Sequence, residues 1–186
     1  CGKCGAPIEQ KPTAKDVAAA QKISKPESVP AQAEVSMNRS DIEALEKKLK
    51  ENPTVVENYL ELVTALDNIG RFEQAYSTFR AVRAIAPDNP DVLEAGALIF
   101  EHMNRREEAI ECLEAAIQNR PDNSEAVFRL SGLLYDSGKK DEALTRLESL
   151  YRKNPRHQEV LIRMAQIHLS LGNASEAQKH LAVYKE

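Results

Sequence analysis

From residue 40 onward, apolar positions return at a fixed interval. Tyr59, Leu93, Val127 and Leu161 stand 34 residues apart, and so do Leu62, Gly96, Leu130 and Met164. Within each unit these two columns lie three residues apart, the spacing of one helix face. Phe79, Leu113, Leu147 and Leu181 form a third column, with Ala75, Ala109, Ala143 and Ala177 four residues ahead of it. Pro53, Pro87, Pro121 and Pro155 mark the same period, as do Gly70, Gly138 and Gly172, with Asn104 in the missing place. The pattern predicts a leading helix over 41–51 and four helix pairs: 55–68 with 72–86, 90–103 with 106–119, 124–137 with 141–153, and 158–170 with 174–185.

Each column has a physical reason. Proline between units cannot continue a helix and sets the chain direction. Glycine or asparagine ends the first helix of a pair, because a left-handed cap needs positive φ. The alanine column lets the paired helices approach closely, and the large apolar columns fill the space between units. Ser40 with Glu43, and Thr54 with Glu57, have capping-box spacing and are expected to start helices. Pro90 is expected in the first turn of its helix, where a missing N–H costs nothing.

The 34-residue unit resembles the tetratricopeptide repeat (TPR) family. The resemblance covers about residues 40–186, with repeats at about 56–89, 90–123, 124–157 and 158–186. It implies an all-α fold: an α-solenoid, a right-handed superhelix of helix–turn–helix repeats, whose first helices line a concave groove. It also implies that a protein or peptide occupies that groove, and that the chain is not an enzyme. The groove positions carried over are Leu60 and Thr64 in the first unit, Leu98 and His102 in the second, Phe128, Arg129 and Tyr135 in the third, and Ile162, Arg163 and Leu169 in the fourth. Leu60, Phe128 and Ile162 share one repeat position, which suggests an apolar strip. Arg129 and Arg163 also share one, and two neighbouring guanidiniums suit a carboxylate. Local acids such as Glu125, Asp136 and Glu159 are alternative partners for them. The carboxylate clamp of heat-shock co-chaperones is not matched at Leu60, Thr64, Ala95 or Glu125. In this family an extra polar helix often covers the last unit; here the last predicted helix either caps itself or offers Leu181 and Tyr184 as a docking or homodimer face.

Residues 1–39 are a different material. They hold Pro7, Pro12, Pro26 and Pro30, no aromatic residue, and much Ala, Lys, Gln and Glu. Such a stretch buries too little apolar surface to offset its ordering entropy and is expected to be a disordered tether. It carries six basic and four acidic residues, net +2, whereas residues 40–186 carry 19 basic and 25 acidic, net −6. Three readings of Cys1-Gly2-Lys3-Cys4-Gly5 stay open. Cys1 is the lipidated residue of a bacterial lipoprotein, resembling lipid-anchored TPR proteins of the Gram-negative envelope that assist pilus or secretion assembly. That reading expects the periplasmic face of the outer membrane, with the membrane reached through the lipid alone. Otherwise Cys1 and Cys4 form half of a zinc site in a cytosolic adaptor, although no second Cys pair exists. Or the C-x-x-C is a redox motif lacking its usual strand–helix setting.

The remaining chemistry is sparse. The chain of 186 residues has a net charge of −4, 5% aromatics and no Trp. This argues against a nucleic-acid partner, which needs basic surface and stacking rings. Gly132 to Lys140 is one residue too long for a phosphate loop and follows no strand. His102, His157, His168 and His180 have no metal-ligand spacing. Cys112 lies on a second helix with no motif around it. No metal and no cofactor are expected.

Overall fold

The computed structural model describes residues 39–184. The expectations for residues 1–38, among them the lipidated Cys1, the role of Cys4 and the tether, lie outside the described residues. Among the described residues every regular element is a helix: α1 (Arg39–Glu51), α2 (Val56–Asn68), α3 (Phe72–Ile85), α4 (Pro90–His102), α5 (Arg106–Asn119), α6 (Ser124–Asp136), α7 (Lys140–Lys153), α8 (Gln158–Ser170) and α9 (Ala174–Tyr184). The all-helical architecture expected from the period is therefore observed, with predicted helix ends within two residues of those found.

The helices group into two compact units. In the first, up to Asn154, α1 packs on α2, and α2/α3, α4/α5 and α6/α7 form hairpins that stack in chain order. The second unit, from Pro155, contains the α8/α9 hairpin.

The turn inside each hairpin is the same object built four times. Gly70, Gly138 and Gly172 have φ of 74°, 80° and 80°, and Asn104 takes 56°. The next residue's N–H then reaches back five positions. Arg71 donates to the Leu66 carbonyl at 2.9 Å, Arg105 to Phe100 at 2.8 Å, Lys139 to Leu134 at 2.9 Å and Asn173 to His168 at 2.8 Å. This satisfies carbonyls that the helix end leaves without a donor. The prolines stand two residues past α1, α3, α5 and α7, and Tyr59 Oη donates to the Pro53 carbonyl at 3.0 Å.

The repeat columns are the core. Ala75, Ala109 and Ala143 have no exposed surface and Ala177 has 1%; Leu93, Leu113, Leu130, Leu147 and Leu161 are equally enclosed. Gly96 is buried against the Phe79 ring: a Cβ there would lie 2.4 Å from Cε2 and Cζ.

The capping box at Thr54 is corrected. The N-cap of α2 is Val55, which makes no side-chain cap bond, so Thr54 stands one residue too early. α1 is described from Arg39. Caps are instead made by Asn89, accepting from the N–H groups of Asp91 and Val92, and by Asn123, accepting from Ala126. Pro90 opens α4 as expected.

Candidate protein-binding surface

Seven of the ten predicted groove residues lie on the first helices of the larger unit: Leu60 and Thr64 on α2, Leu98 and His102 on α4, and Phe128, Arg129 and Tyr135 on α6. Thr64 and Leu98 are exposed; Leu60, Phe128, Arg129 and Tyr135 are half-buried. Leu98 is 41% exposed, one of few large apolar side chains so open. Ile162, Arg163 and Leu169 lie on α8 in the smaller unit, each half-buried. On α9, Leu181 and Tyr184 are half-buried too.

The first helices are cross-braced by polar pairs. Asp67 Oδ1 of α2 meets Nδ1 of His102 in α4 at 2.8 Å, and the His102 ring tilts against Phe72 with centroids 5.3 Å apart. Glu101 of α4 accepts from the Arg129 guanidinium of α6. Asn123 Nδ2 donates to Glu94 Oε1 at 2.6 Å. Arg120, just past α5, grips Asp91 at the start of α4 with two bonds of 2.7 and 3.0 Å. Lys48 of α1 reaches Glu61 of α2 at 2.6 Å.

Arg129 therefore finds its acid across the stack at Glu101, not at the local acids that sequence spacing offered. No sequence interval announces a pair 28 residues apart; it follows from the stagger of α4 against α6. The asparagine caps were readable in principle. Val55, Asn89, Asn123 and His157 occupy one 34-residue column, and the two asparagines in it are the side chains suited to capping.

The helices of this surface carry mostly acids, with Lys48 and Arg120 from neighbouring segments bonded to Glu61 and Asp91. α2, α4 and α6 together carry the acids Glu57, Glu61, Asp67, Asp91, Glu94, Glu101, Glu125 and Asp136 against a single Arg, Arg129. The Arg120 guanidinium bonded to Asp91 holds that carboxyl below its ordinary range. Burial pushes the Glu94 carboxyl the other way, above its ordinary range, against the pull of Arg120. These two neighbours are thus displaced in opposite directions from the ordinary carboxylate range.

Elsewhere the candidate chemistry is absorbed by packing. Cys112 is 3% exposed, and burial pushes its thiol up, which suits a small core residue rather than a nucleophile. His168 stacks on His180 with centroids 5.5 Å apart and ring planes 13° from parallel. Among the described residues no three His, Cys, Asp or Glu side chains group as a metal site. No helix among them is long and apolar enough to cross a membrane.

Helical hairpins of one length, closed by one turn and stacked on one set of columns, define a class of repeat modules that present side chains to other proteins. The family model described as Tetratricopeptide repeat matches residues 42–99, 102–150 and 134–186, and the chain belongs to that family. No curated protein matches it in sequence. Among solved structures it is similar to MamA, with 20% identity, a TM-score of 0.71 and coverage of 77% of this chain and 84% of that one. A MamA fragment from Desulfovibrio magneticus RS-1 gives 14% identity and a TM-score of 0.71, covering 78% and 83%. YrrB, a TPR protein with an unusual peptide-binding site, gives 17% identity and a TM-score of 0.67, covering 77% and 74%. At these identities the likeness is one of fold.

Proposed function

We propose that the chain is a recruiting scaffold that takes a basic, amphipathic segment of a partner protein across the first-helix face of α2, α4 and α6. The observation that carries this is exposed Leu98, with half-buried Leu60 and Phe128 on the flanking helices, on a face whose helices hold eight acids and one Arg. An apolar strip supplies the contact area, and the acids select and steer a cationic partner. The braces Asp67–His102 and Glu101–Arg129 hold the helices in register before anything binds, which lowers the ordering cost of capture. Thr64 and Tyr135 extend the same face, and Ile162, Arg163 and Leu169 offer the corresponding positions of the last repeat. No catalytic step is part of this reading.

The test is titration of the full chain with a labelled peptide of alternating Lys and Leu. Binding weakened by added salt is expected. Leu98→Glu should weaken it at least about tenfold, equivalent to about 1.4 kcal/mol, and leave the melting temperature unchanged because the side chain is exposed. Equal affinity for an acidic counterpart would overturn the reading.

A finer part of the proposal concerns location. The Cys1-Gly2 pair and the Pro/Ala/Lys-rich stretch up to residue 39 suit a lipidated anchor at the bacterial envelope, serving assembly of a pilus or secretion complex. Labelled palmitate should enter the wild-type chain and not Cys1→Ala; a wild-type chain that stays unlabelled in an envelope fraction rejects the anchor.

A further inference from the structure

The second helix of the first repeat carries a feature that the first-helix face does not use. Tyr76, Phe79, Arg80, Arg83 and Ala84 of α3, with Pro87 behind it and Phe100 of α4, line an open cavity of about 390 Å³. The cavity lies wholly within the larger unit. Its floor is aromatic: Phe79 meets Phe100 edge-on with centroids 5.8 Å apart, and Tyr76 lies 5.6 Å from Phe100. Gly96 makes this floor, because any side chain there would occupy the space of the Phe79 ring.

Arginines surround it unequally. Arg105 lies 5.1 Å over the Tyr76 ring and 4.8 Å over Phe100, and it is committed to Glu108 by two bonds of 2.9 and 2.7 Å. Arg80 and Arg83 are exposed on the cavity wall, and among the described residues neither has a carboxylate partner. Arg83 hangs 5.8 Å over the Phe79 ring. The α5 acids Glu108 and Glu111 share with Arg83 the surroundings of Cys112, yet neither forms an ion pair with it. Two cations three residues apart on one helix repel each other, and no direct ion pair within the described residues relieves them.

We propose that this cavity is a second binding site, one that takes an acidic and hydrophobic segment of a partner protein. A Leu or Phe side chain enters between Tyr76, Ala84 and Pro87, above the buried Phe79 and Phe100 rings, and flanking carboxylates accept hydrogen bonds from Arg80 and Arg83. The volume lies at the lower end of ligand-sized clefts, about 300–1,000 Å³. Guanidiniums at an aromatic edge are suited to carboxylates, because the planar fork donates two parallel bonds while its face stays on the ring. The site differs from the first-helix face in helix and in charge sign, so the scaffold holds two partners of opposite charge.

The experiment uses the full chain and a fluorescein-labelled peptide in which Asp and Glu flank a Leu-x-x-Phe core. Micromolar binding is expected, with amide shift changes at Ala84 and Phe100 in nuclear magnetic resonance spectra. Arg80→Glu with Arg83→Glu should weaken it at least about tenfold, and Ala84→Glu, which keeps both arginines, should weaken it as well. Leu98→Glu should leave it unchanged, which separates this site from the first-helix face. The proposal fails if the double charge reversal leaves affinity intact, if the shifts gather at Thr64 and Leu98, or if nothing binds at millimolar peptide. It fails in favour of a second copy of this chain if the protein self-associates and the same reversal makes it monomeric.

Discussion

At the residue scale, one glycine decides how two repeats meet. Gly96 occupies a column that elsewhere holds Leu62, Leu130 and Met164, and in its place the Phe79 ring of the preceding repeat fills the space. Gly96→Ala ought to favour helix by about 1 kcal/mol. The ring it displaces is 1% exposed and hemmed by Tyr76 and Phe100, so overpacking by about 1–3 kcal/mol wins. Urea unfolding should show a net loss, and Phe79→Leu in the same chain should recover part of it. A more stable Gly96→Ala would show that the ring has room to move. The column was legible as a column. That its glycine is a socket for an aromatic ring was not, because the ring comes from a helix seventeen residues earlier and its direction is set by packing.

At the scale of the element, the period set the helices and tertiary contacts set their ends. The Gly/Asn turns follow from backbone sterics, which act locally, and they stand where the sequence placed them. The capping box at Thr54 failed because a four-residue motif competes with the packing that fixes where the helix axis begins; side-chain caps are made at Asn89 and Asn123, which start α4 and α6. Polar pairs at the start of α4 give this level a signature in pH. Asp91, held low by its bond to Arg120, stabilises the fold at neutral pH, and that contribution is lost as pH falls through its depressed value. Glu94, held high by burial, destabilises the fold once ionised, and that cost disappears as pH falls below its raised value. Asp91→Asn is therefore expected to lower stability at neutral pH, by less than about 1 kcal/mol for so exposed a pair. Glu94→Gln is expected to raise it. Both differences from wild type should vanish in acid. Denaturant titrations across pH test this, and a Glu94→Gln variant less stable at neutral pH contradicts the burial cause.

For the whole molecule, stability in a repeat protein is a sum of hairpin terms and neighbour terms. Leu161 is 1% exposed in α8, and Leu161→Ala should cost about 2–5 kcal/mol through the cavity it leaves. Hydrogen exchange should then speed up throughout α8 and α9 while α4 and α5 keep most of their protection. Uniform loss of protection across all the helices would mean a single cooperative core instead. Charge also belongs to this scale. The net −6 of residues 40–186 and the acids on α2, α4 and α6 could be counted from the sequence, yet counting did not show that Arg129 is taken by Glu101.

What the amino-acid order settled alone was the repeat: its length, its helices, its turns and the columns that are buried. Those depend on backbone sterics and on a helical period that any 34-residue stretch declares by itself. What required the folded chain was pairing: Asp67 with His102, Glu101 with Arg129, Gly96 with Phe79, and two arginines left facing an aromatic cavity. Such contacts join residues from different repeats, and their geometry comes from how one hairpin sits on the next, a quantity that no local pattern encodes.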